Sequence, residues 1–354
     1  MKALTIDHHA EDLSRVQYTD VEMPALRAGQ VLVRMNASAI HPSDFNVIQG
    51  RYGQALQNAV WNYRRPAIYQ LPAGRPLKRA PCTLGTEGMG VVEDSGGGLL
   101  ARRLLGRRVA VIADQAPDSG TWAEYLAVDA TRALVLPKDI DDVQGAMFYV
   151  NPLAAYILTR EVLKVPRGQY LLQTAASSAL GRMVIRLGRR YGFRTISVVR
   201  RRDRIAELKR LGGDTVIATD SEDLFSRVAE ITGGAGVHYA IDSVAGQLSA
   251  EILRCLAPRG RLVCYGTLGR DIAVVPIREM MMSMASVEGF HLGNWLATRS
   301  KWKRLEILRR VRKLIATGEL STRAGRQFAL GDYEAAFAFA RSGAGKALFR
   351  VSDD

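Results

Sequence analysis

The 354-residue sequence predicts an α/β protein built from a small, partly open β-barrel and a doubly wound parallel sheet. Three observations carry that expectation. Short β-like runs separated by glycine turns fill the first third of the chain. Strand-like and helix-like segments then alternate from Gln169 to Thr267. Strand-like runs return near the C-terminus. The predicted divisions are 1–130 for the first part of the barrel domain, 131–275 for the parallel-sheet domain and 276–354 for completion of the barrel domain.

Met1–Ile6 reads as a first strand, and Val31–Ala39, Gly88–Glu93, Arg108–Ala113 and Trp122–Val128 as barrel strands. Residues 54–80 break the pattern. Trp61, Tyr63 and Tyr69 stand there among Arg64, Arg65, Pro66 and Pro72, and a long loop is expected. From Asp142 to Leu163 apolar residues recur at helical spacing. Gln169–Thr174, Thr195–Val199, Asp214–Ile217, His238–Ser243 and Arg261–Tyr265 are the parallel strands, with helices starting near Leu180, Asp203, Ser221 and Gln247. A methionine-rich segment leads to a basic helix from Ser300 to about Thr317. Its apolar residues Leu305, Ile307, Leu308, Val311 and Leu314 are expected to face the barrel. Gln327–Leu330 and Lys346–Val351 close the chain as strands, with Asp332 an N-cap between them.

Hydrophobic content of 47% and charged content of 24% are those of a globular protein. No apolar run approaches the ~20 residues of a membrane span, and no secretory or transit segment is recognised ahead of the first strand. Cys82, Cys255 and Cys264 lack metal-ligand spacing and read as buried spectator thiols, so the expected location is cytoplasmic. The net charge of +14 favours polyanionic partners: a phosphate-bearing cofactor, coenzyme A or an acidic acyl-carrier protein. A solvated basic surface explains it equally well. A basic, non-catalytic protein that binds nucleic acid or a partner is the remote alternative. No nucleic-acid module is recognisable, and no nucleic acid is expected.

Gln169–Thr174 runs into Ala175-Ala176-Ser177-Ser178-Ala179-Leu180-Gly181 and then a helical stretch. Ala176, Ser178 and Gly181 fall on the three glycine positions of a dinucleotide fingerprint. Small residues there let backbone approach a pyrophosphate, and the helix N-terminus offers aligned N–H donors. The next strand ends in Arg200-Arg201-Arg202. A carboxylate there would suit a ribose 2′-hydroxyl, whereas guanidinium groups suit a 2′-phosphate, so NADP(H) is the expected cofactor.

With these motifs the chain resembles the medium-chain dehydrogenase/reductase superfamily, and within it the zinc-free enoyl thioester reductases. Gly85-Thr86-Glu87-Gly88-Met89-Gly90-Val91 is similar to the superfamily's Gly-His-Glu block, with Thr86 where zinc enzymes place a ligand histidine. Gly120-Thr121-Trp122-Ala123-Glu124-Tyr125, Asn151-Pro152-Leu153-Ala154-Ala155-Tyr156, Tyr265-Gly266-Thr267, Phe290–Trp295 and Gly345-Lys346-Ala347 extend the likeness over nearly the whole chain. The resemblance implies a GroES-like barrel domain, a Rossmann cofactor domain and a homodimer. It implies Tyr52 as the catalytic tyrosine, with Asn46 six residues before it. Asn151 would meet the nicotinamide, Ser177, Ser178, Ala179, Leu180 and Gly181 the pyrophosphate, and Arg200, Arg201 and Arg202 the 2′-phosphate. Tyr265, Gly266, Thr267, Leu268, Phe290, His291, Leu292 and Lys346 would line the cofactor and acyl channel, with Trp295 toward substrate. His41 suits a hydrogen bond to substrate or cofactor ribose, and equally a satisfied structural histidine. No metal is expected, because no Cys-x₂-Cys lobe exists and neither catalytic ligand position is filled. Glu87 reads as a structural carboxylate.

The implied reaction is NADPH-dependent reduction of the C=C bond of an enoyl thioester, with Tyr52 as hydrogen-bond donor or acid. The sequence departs from the reductases at His41, Ala154, Ser177 and His291, and the 54–80 insertion follows Tyr52 directly. A quinone or small-enone reductase of the same superfamily is therefore the alternative.

Overall fold

The computed structural model describes residues 1–64, 70–72, 77–322 and 325–352. The chain forms two units, Met1–Val150 with Thr322–Asp354, and Asn151–Ser321. These divisions differ from the 130/131 and 275/276 boundaries read from the sequence, for identifiable reasons. Backbone N–H groups of Tyr149 and Val150 donate to Glu87, which ties the chain to the first unit as far as residue 150. Residues after 275 stay with the second unit because one of their strands extends its sheet.

The first unit begins with β1 (Lys2–Ile6), β2 (Val16–Asp20), β3 (Gln30–Ala39), α1 (Pro42–Ile48), α2 (Arg51–Gln57), β4 (Cys82–Thr83) and β5 (Glu87–Ser95). It continues through α3 (Leu99–Leu104), β6 (Arg108–Ile112), β7 (Tyr125–Asp129), β8 (Ala133–Val135) and α4 (Asp142–Gly145) to the start of α5 (Val150–Ile157). The long-loop expectation for 54–80 needs correction where it can be followed. Residues up to Gln57 complete α2, and Val60–Asn62 make a 3₁₀ turn. Arg65, Pro66 and Tyr69 lie outside the described residues.

The second unit holds β9 (Tyr170–Gln173), α6 (Ala179–Tyr191), β10 (Arg194–Val199), α7 (Ile205–Leu211), β11 (Thr215–Ala218), α8 (Leu224–Thr232), β12 (Val237–Asp242), α9 (Gln247–Arg254) and β13 (Leu256–Cys264). Then come α10 (Ile277–Ser283), β14 (Ser286–Gly289), α11 (Leu292–Ala297) and α12 (Lys301–Ala316). Its strands run in the order β11-β10-β9-β12-β13-β14, all parallel. The order reverses between β9 and β12, which is where doubly wound sheets bind ligands. β10 is buried at every position after Arg194, as a parallel strand covered on both faces must be. The basic helix α12 belongs to this unit and not to the barrel. Lys303 pairs with Glu161 at 2.9 Å, Arg310 interacts with the Tyr156 hydroxyl, and Ile307, Val311, Leu314 and Ile315 are buried.

The chain returns to the first unit with β15 (Arg326–Ala329), α13 (Tyr333–Ser342) and β16 (Ala347–Arg350). The main sheet there reads β15-β16-β3-β5-β6-β8, with β7 also on β3, and β2-β1-β4 forms a smaller sheet. β3 alternates buried and half-buried residues from Gln30 to Ala37, the period-2 signature of a sheet with one face inward. One aromatic cluster fixes α1 over this core. Phe337 of α13 lies 5.4 Å from Phe45 and 5.4 Å from Trp122, and Trp122 lies 5.3 Å from Phe349. Replacing buried Phe337 with alanine removes the ring that joins helix to sheet. Phe337→Ala is expected to cost about 3–5 kcal/mol in denaturant unfolding, with loss of the native position of α1.

Candidate active site

Gly50 ends α1 with φ +69°, a conformation that glycine adopts without strain, and a Cβ there would meet His9 at 2.9 Å. That turn starts α2 and places Tyr52 in its first turn. Tyr52 is half-buried and hydrogen-bonds Asn46 of α1. Burial pushes its phenol above the ordinary value of 10, while the Asn46 hydrogen bond opposes the shift. The hydroxyl is therefore a proton-bearing donor at neutral pH. Sequence spacing alone did not reveal this pairing.

Behind α1 lies a buried polar cluster. Asp44 Oδ2 accepts the His41 backbone N–H at 2.7 Å, half of a capping box, and Oδ1 accepts the Thr86 hydroxyl. Burial pushes the Asp44 carboxyl above the ordinary range. His41 Nε2 lies 2.6 Å from Glu87 Oε1, and His41 Nδ1 lies 2.9 Å from Lys346 Nζ. Lys346 also donates to the Ile40 carbonyl. With the ammonium donating to Nδ1, the Nε2 proton points at Glu87. Glu87 Oε2 accepts from the Tyr149 and Val150 N–H groups at 2.6 and 3.0 Å.

For His41 the structural reading fits: both its ring nitrogens are engaged and it is 2% exposed. Lys346, expected to line the cofactor channel, uses two of its three ammonium donors on Ile40 and His41. Neither partner is adjacent in sequence, so spacing gave no signal. Among the described residues, no three His, Cys, Asp or Glu side chains come together as a metal site.

In the second unit the β9–α6 turn is tightly built. Ser178 caps α6, its hydroxyl accepting the Gly181 N–H at 3.1 Å. A Cβ on Gly181 would sit 2.6 Å from Ala176 backbone atoms, so only glycine allows this approach of helix to turn. Arg182, which sequence reasoning missed, donates to the Ser177 carbonyl at 2.9 Å and pairs with Glu207. Buried Asp242 at the end of β12 accepts from Thr174 and Ser249 hydroxyls, each at 2.7 Å, and from the Val244 and Ala245 N–H groups. It locks the loop after β12 beside the β9–α6 turn.

The remaining candidates fall as follows. Arg200, Arg201 and Arg202 are exposed where β10 ends, and Arg201 pairs with Asp203 at 3.4 Å. Tyr265 is half-buried with its hydroxyl facing Ser243, and burial pushes its phenol up to about 12. Gly266, Thr267 and Leu268 follow it, and the Leu268 N–H donates to the Ser243 carbonyl at 2.8 Å. Phe290 is half-buried after β14, with its N–H on the Cys264 carbonyl at 2.8 Å. His291 caps α11, Nδ1 accepting the Asn294 N–H at 3.2 Å, and Leu292 opens that helix. Trp295 lies under the Arg299 guanidinium, 4.5 Å from ring centroid. Asn151 is half-buried in α5. Ala179 and Leu180 open α6. A cavity of about 430 Å³ in the first unit runs along β1 past Ile6, Val21 and Cys82, and no candidate residue lines it.

Two family models match the chain. Residues 27–138 match the alcohol dehydrogenase GroES-like domain, and residues 179–309 match the zinc-binding dehydrogenase family. The human mitochondrial enoyl-[acyl-carrier-protein] reductase is 28% identical over 346 residues, covering 95% of this chain and 84% of that protein. The Schizosaccharomyces pombe counterpart is 26% identical over 331 residues, covering 91% and 84%. A Bacillus thuringiensis structure provisionally named NADPH:quinone reductase superposes with a TM-score of 0.86 at 29% identity, covering 99% of both chains. Escherichia coli quinone oxidoreductase, solved with NADPH, shares the fold, with a TM-score of 0.82 at 23% identity, covering 99% of this chain and 100% of that one. A GroES-like barrel joined to a doubly wound sheet defines a two-domain oxidoreductase, and the chain belongs to the medium-chain dehydrogenase/reductase superfamily. Within that superfamily it is enoyl reductase-like.

Burial lowers the Lys346 pKa from 10.5 to about 8, against the pull of Glu87 and Asp44. Between those values the unfolded chain binds the extra proton, so this group's contribution to stability rises with pH through that window. Compared with Lys346→Met, the wild type is expected to gain ~2 kcal/mol of unfolding free energy between about pH 7 and 10. Parallel denaturant titrations at the two pH values would test this, and a constant difference between the proteins would refute it.

Proposed function

We propose that the protein reduces the C=C bond of an α,β-unsaturated acyl thioester, enoyl-CoA or enoyl-ACP, using NADPH and no zinc. The observation that carries this reading is Tyr52, held by Asn46 on the Gly50 turn.

The β9–α6 turn fits a dinucleotide. Small residues, the strained Ala175 backbone at φ +46° and the Ala179 and Leu180 amides that open α6 would make a cradle for a pyrophosphate, and a side chain at Gly181 would destroy it. Ser177, Ser178, Ala179, Leu180 and Gly181 would hold it. Arg200 and Arg202, which enter no ion pair among the described residues, would hold a 2′-phosphate beside Arg201. Asn151, Tyr265 to Leu268 and Phe290 to Leu292 would line the remainder. When bound, NADPH supplies the hydride. As charge develops on the thioester carbonyl, the Tyr52 hydroxyl donates to that oxygen, a contribution of roughly 3 kcal/mol for a well-placed donor. The raised pKa keeps that proton in place until it is needed.

Relatives named enoyl-ACP reductase support the thioester. A quinone or small-enone substrate is the second reading, favoured by the small size of a pocket against α1. A second copy of the chain would pair at edge strand β14, beside which Val287, Met281, Met282 and Met284 are exposed. An acidic acyl-carrier protein suits the exposed Lys301, Arg309, Arg312 and Lys313 of α12. No described helix is long and apolar enough to cross a membrane. Cys82, Cys255 and Cys264 are free thiols, which fits action in the reducing cytoplasm.

NADPH oxidation with trans-2-enoyl-CoAs tests the reading. Tyr52→Phe should lower kcat ~100-fold with KM for NADPH unchanged. Undiminished turnover would remove Tyr52 from the chemistry. Arg200→Glu with Arg202→Glu should raise KM for NADPH at least ~10-fold while sparing NADH. An equal effect on both nucleotides would remove the arginines from 2′-phosphate binding.

A further inference from the structure

We propose that the cavity along β1 is a binding site for a small amino alcohol, an ammonium and a hydroxyl group joined by a short apolar stem. The site lies wholly within the first unit and is independent of the reductase reading above.

Strand register separates the two faces of the β2-β1-β4 sheet. Ile6 lies opposite Val16 of β2 and Cys82 of β4, and all three are buried in one apolar cluster with Leu4, Trp122 and Phe337. Thr5 lies opposite Gln17 and Thr83. Successive strand residues point to opposite faces, so this second row looks away from that core. Thr5, Gln17 and Thr83 all line the cavity of about 430 Å³, whose size is that of a small-molecule site. They form its floor, with Cβ atoms of opposed residues roughly 5 Å apart. Thr83 is 7% exposed, and its backbone N–H donates to the Pro117 carbonyl at 2.8 Å. Its hydroxyl has no hydrogen-bond partner among the described residues, and neither has the side chain of Thr5 or Gln17. Buried polar groups normally find partners, so an unpartnered row at the bottom of a cavity points to a ligand with hydrogen-bonding atoms.

The walls and rim select its chemistry. Val21, Pro24, Pro81 and Pro117 supply apolar walls, and a proline has no N–H to offer an anion. Glu22 and Asp118 are exposed lining residues that enter no ion pair among the described residues. Asp118 also acts on Lys78, whose ammonium donates to the Ser119 carbonyl. The third lining acid, Asp7, lies 3.1 Å from His8 Nδ1. The Met1 ammonium, the cation of the lining, already donates to the Val21 carbonyl at 2.9 Å. An acidic rim on a chain of net charge +14 repels anions locally and attracts a cation. A charge on the floor, away from those carboxylates, would be desolvated without an opposite charge, so the floor takes a neutral group. A hydroxyl fits there, because it donates and accepts as threonine and glutamine side chains do. The ammonium then sits at Glu22 and Asp118, and the stem lies along Val21 and the prolines.

Isothermal titration of the full-length protein at low salt would compare linear amino alcohols of three to six carbons with the alkylammonium, diol and hydroxy acid of the same length. The best amino alcohol should bind one per chain, ~10-fold tighter than the alkylammonium or the diol, and the hydroxy acid should not bind. Thr83→Val should weaken the amino alcohol ~3–10-fold and leave the alkylammonium within ~2-fold. Glu22→Gln with Asp118→Asn should weaken the amino alcohol ~10-fold and leave the diol unchanged. No saturable binding below about 10 mM, or a diol that binds as well as the amino alcohol, would overturn the proposal. So would binding that the rim variant abolishes and Thr83→Val leaves intact, since that is attraction to surface acids alone. The Thr83 hydroxyl has no partner to lose, so Thr83→Val should fold. If it does not, the wild-type preference for the amino alcohol over the alkylammonium decides, and equal affinities would overturn the site.

Discussion

The first unit is organised around the need to satisfy one buried carboxylate. Glu87 is 1% exposed, and its oxygens meet His41 and the N–H groups of Tyr149 and Val150. An unpaired charge at such a depth would cost several kcal/mol, so the surrounding chain is built to meet it. Meeting it draws together strand β5, the residue that precedes α1 and the chain at the end of the unit. His41 then fixes the start of α1, α1 carries Asn46, and Asn46 holds Tyr52. The position of the phenol is thus the last term in a series that begins with a carboxylate.

Asp242 does comparable work in the second unit. Its oxygens collect two hydroxyls and two backbone N–H groups, so the loops after β9 and β12 keep a fixed relation. In both units a sheet supplies the frame, and one desolvated acid at a strand end sets the loops. Rigid strands bring such acids to defined places at low entropic cost, which is why loop geometry is precise where it is needed.

The sequence showed the sheets well and the side-chain networks poorly. Alternation in Val31–Ala39 and the apolar run Thr195–Val199 marked one-faced and two-faced strands, because periodicity records burial directly. Gly181 was legible because its role is local, a close approach between turn and helix. Strand β14 was missed. Ser-Val-Glu-Gly is polar at alternate positions, and Glu288 serves as partner to Arg261 of β13. The α12 helix was read for its apolar stripe, which does not say which domain it covers. Lys346 was placed by resemblance, and His41 was open between a ligand contact and a structural role. Their partners are distant in sequence, and only the folded chain shows them meeting each other, Ile40 and Glu87.

The first unit is also discontinuous. Strand β16 lies between β15 and β3, and Lys346 reaches Ile40 across 306 residues of sequence. During synthesis Glu87 and His41 leave the ribosome long before their ammonium partner exists. At 5–20 residues per second that interval is roughly tens of seconds. Over that time the second unit, being continuous, has every strand it needs to close its sheet. The second unit can therefore finish folding before the first, although the first is synthesised earlier, and a chain halted before β16 has one complete unit and an unfilled sheet edge exposed to chaperones.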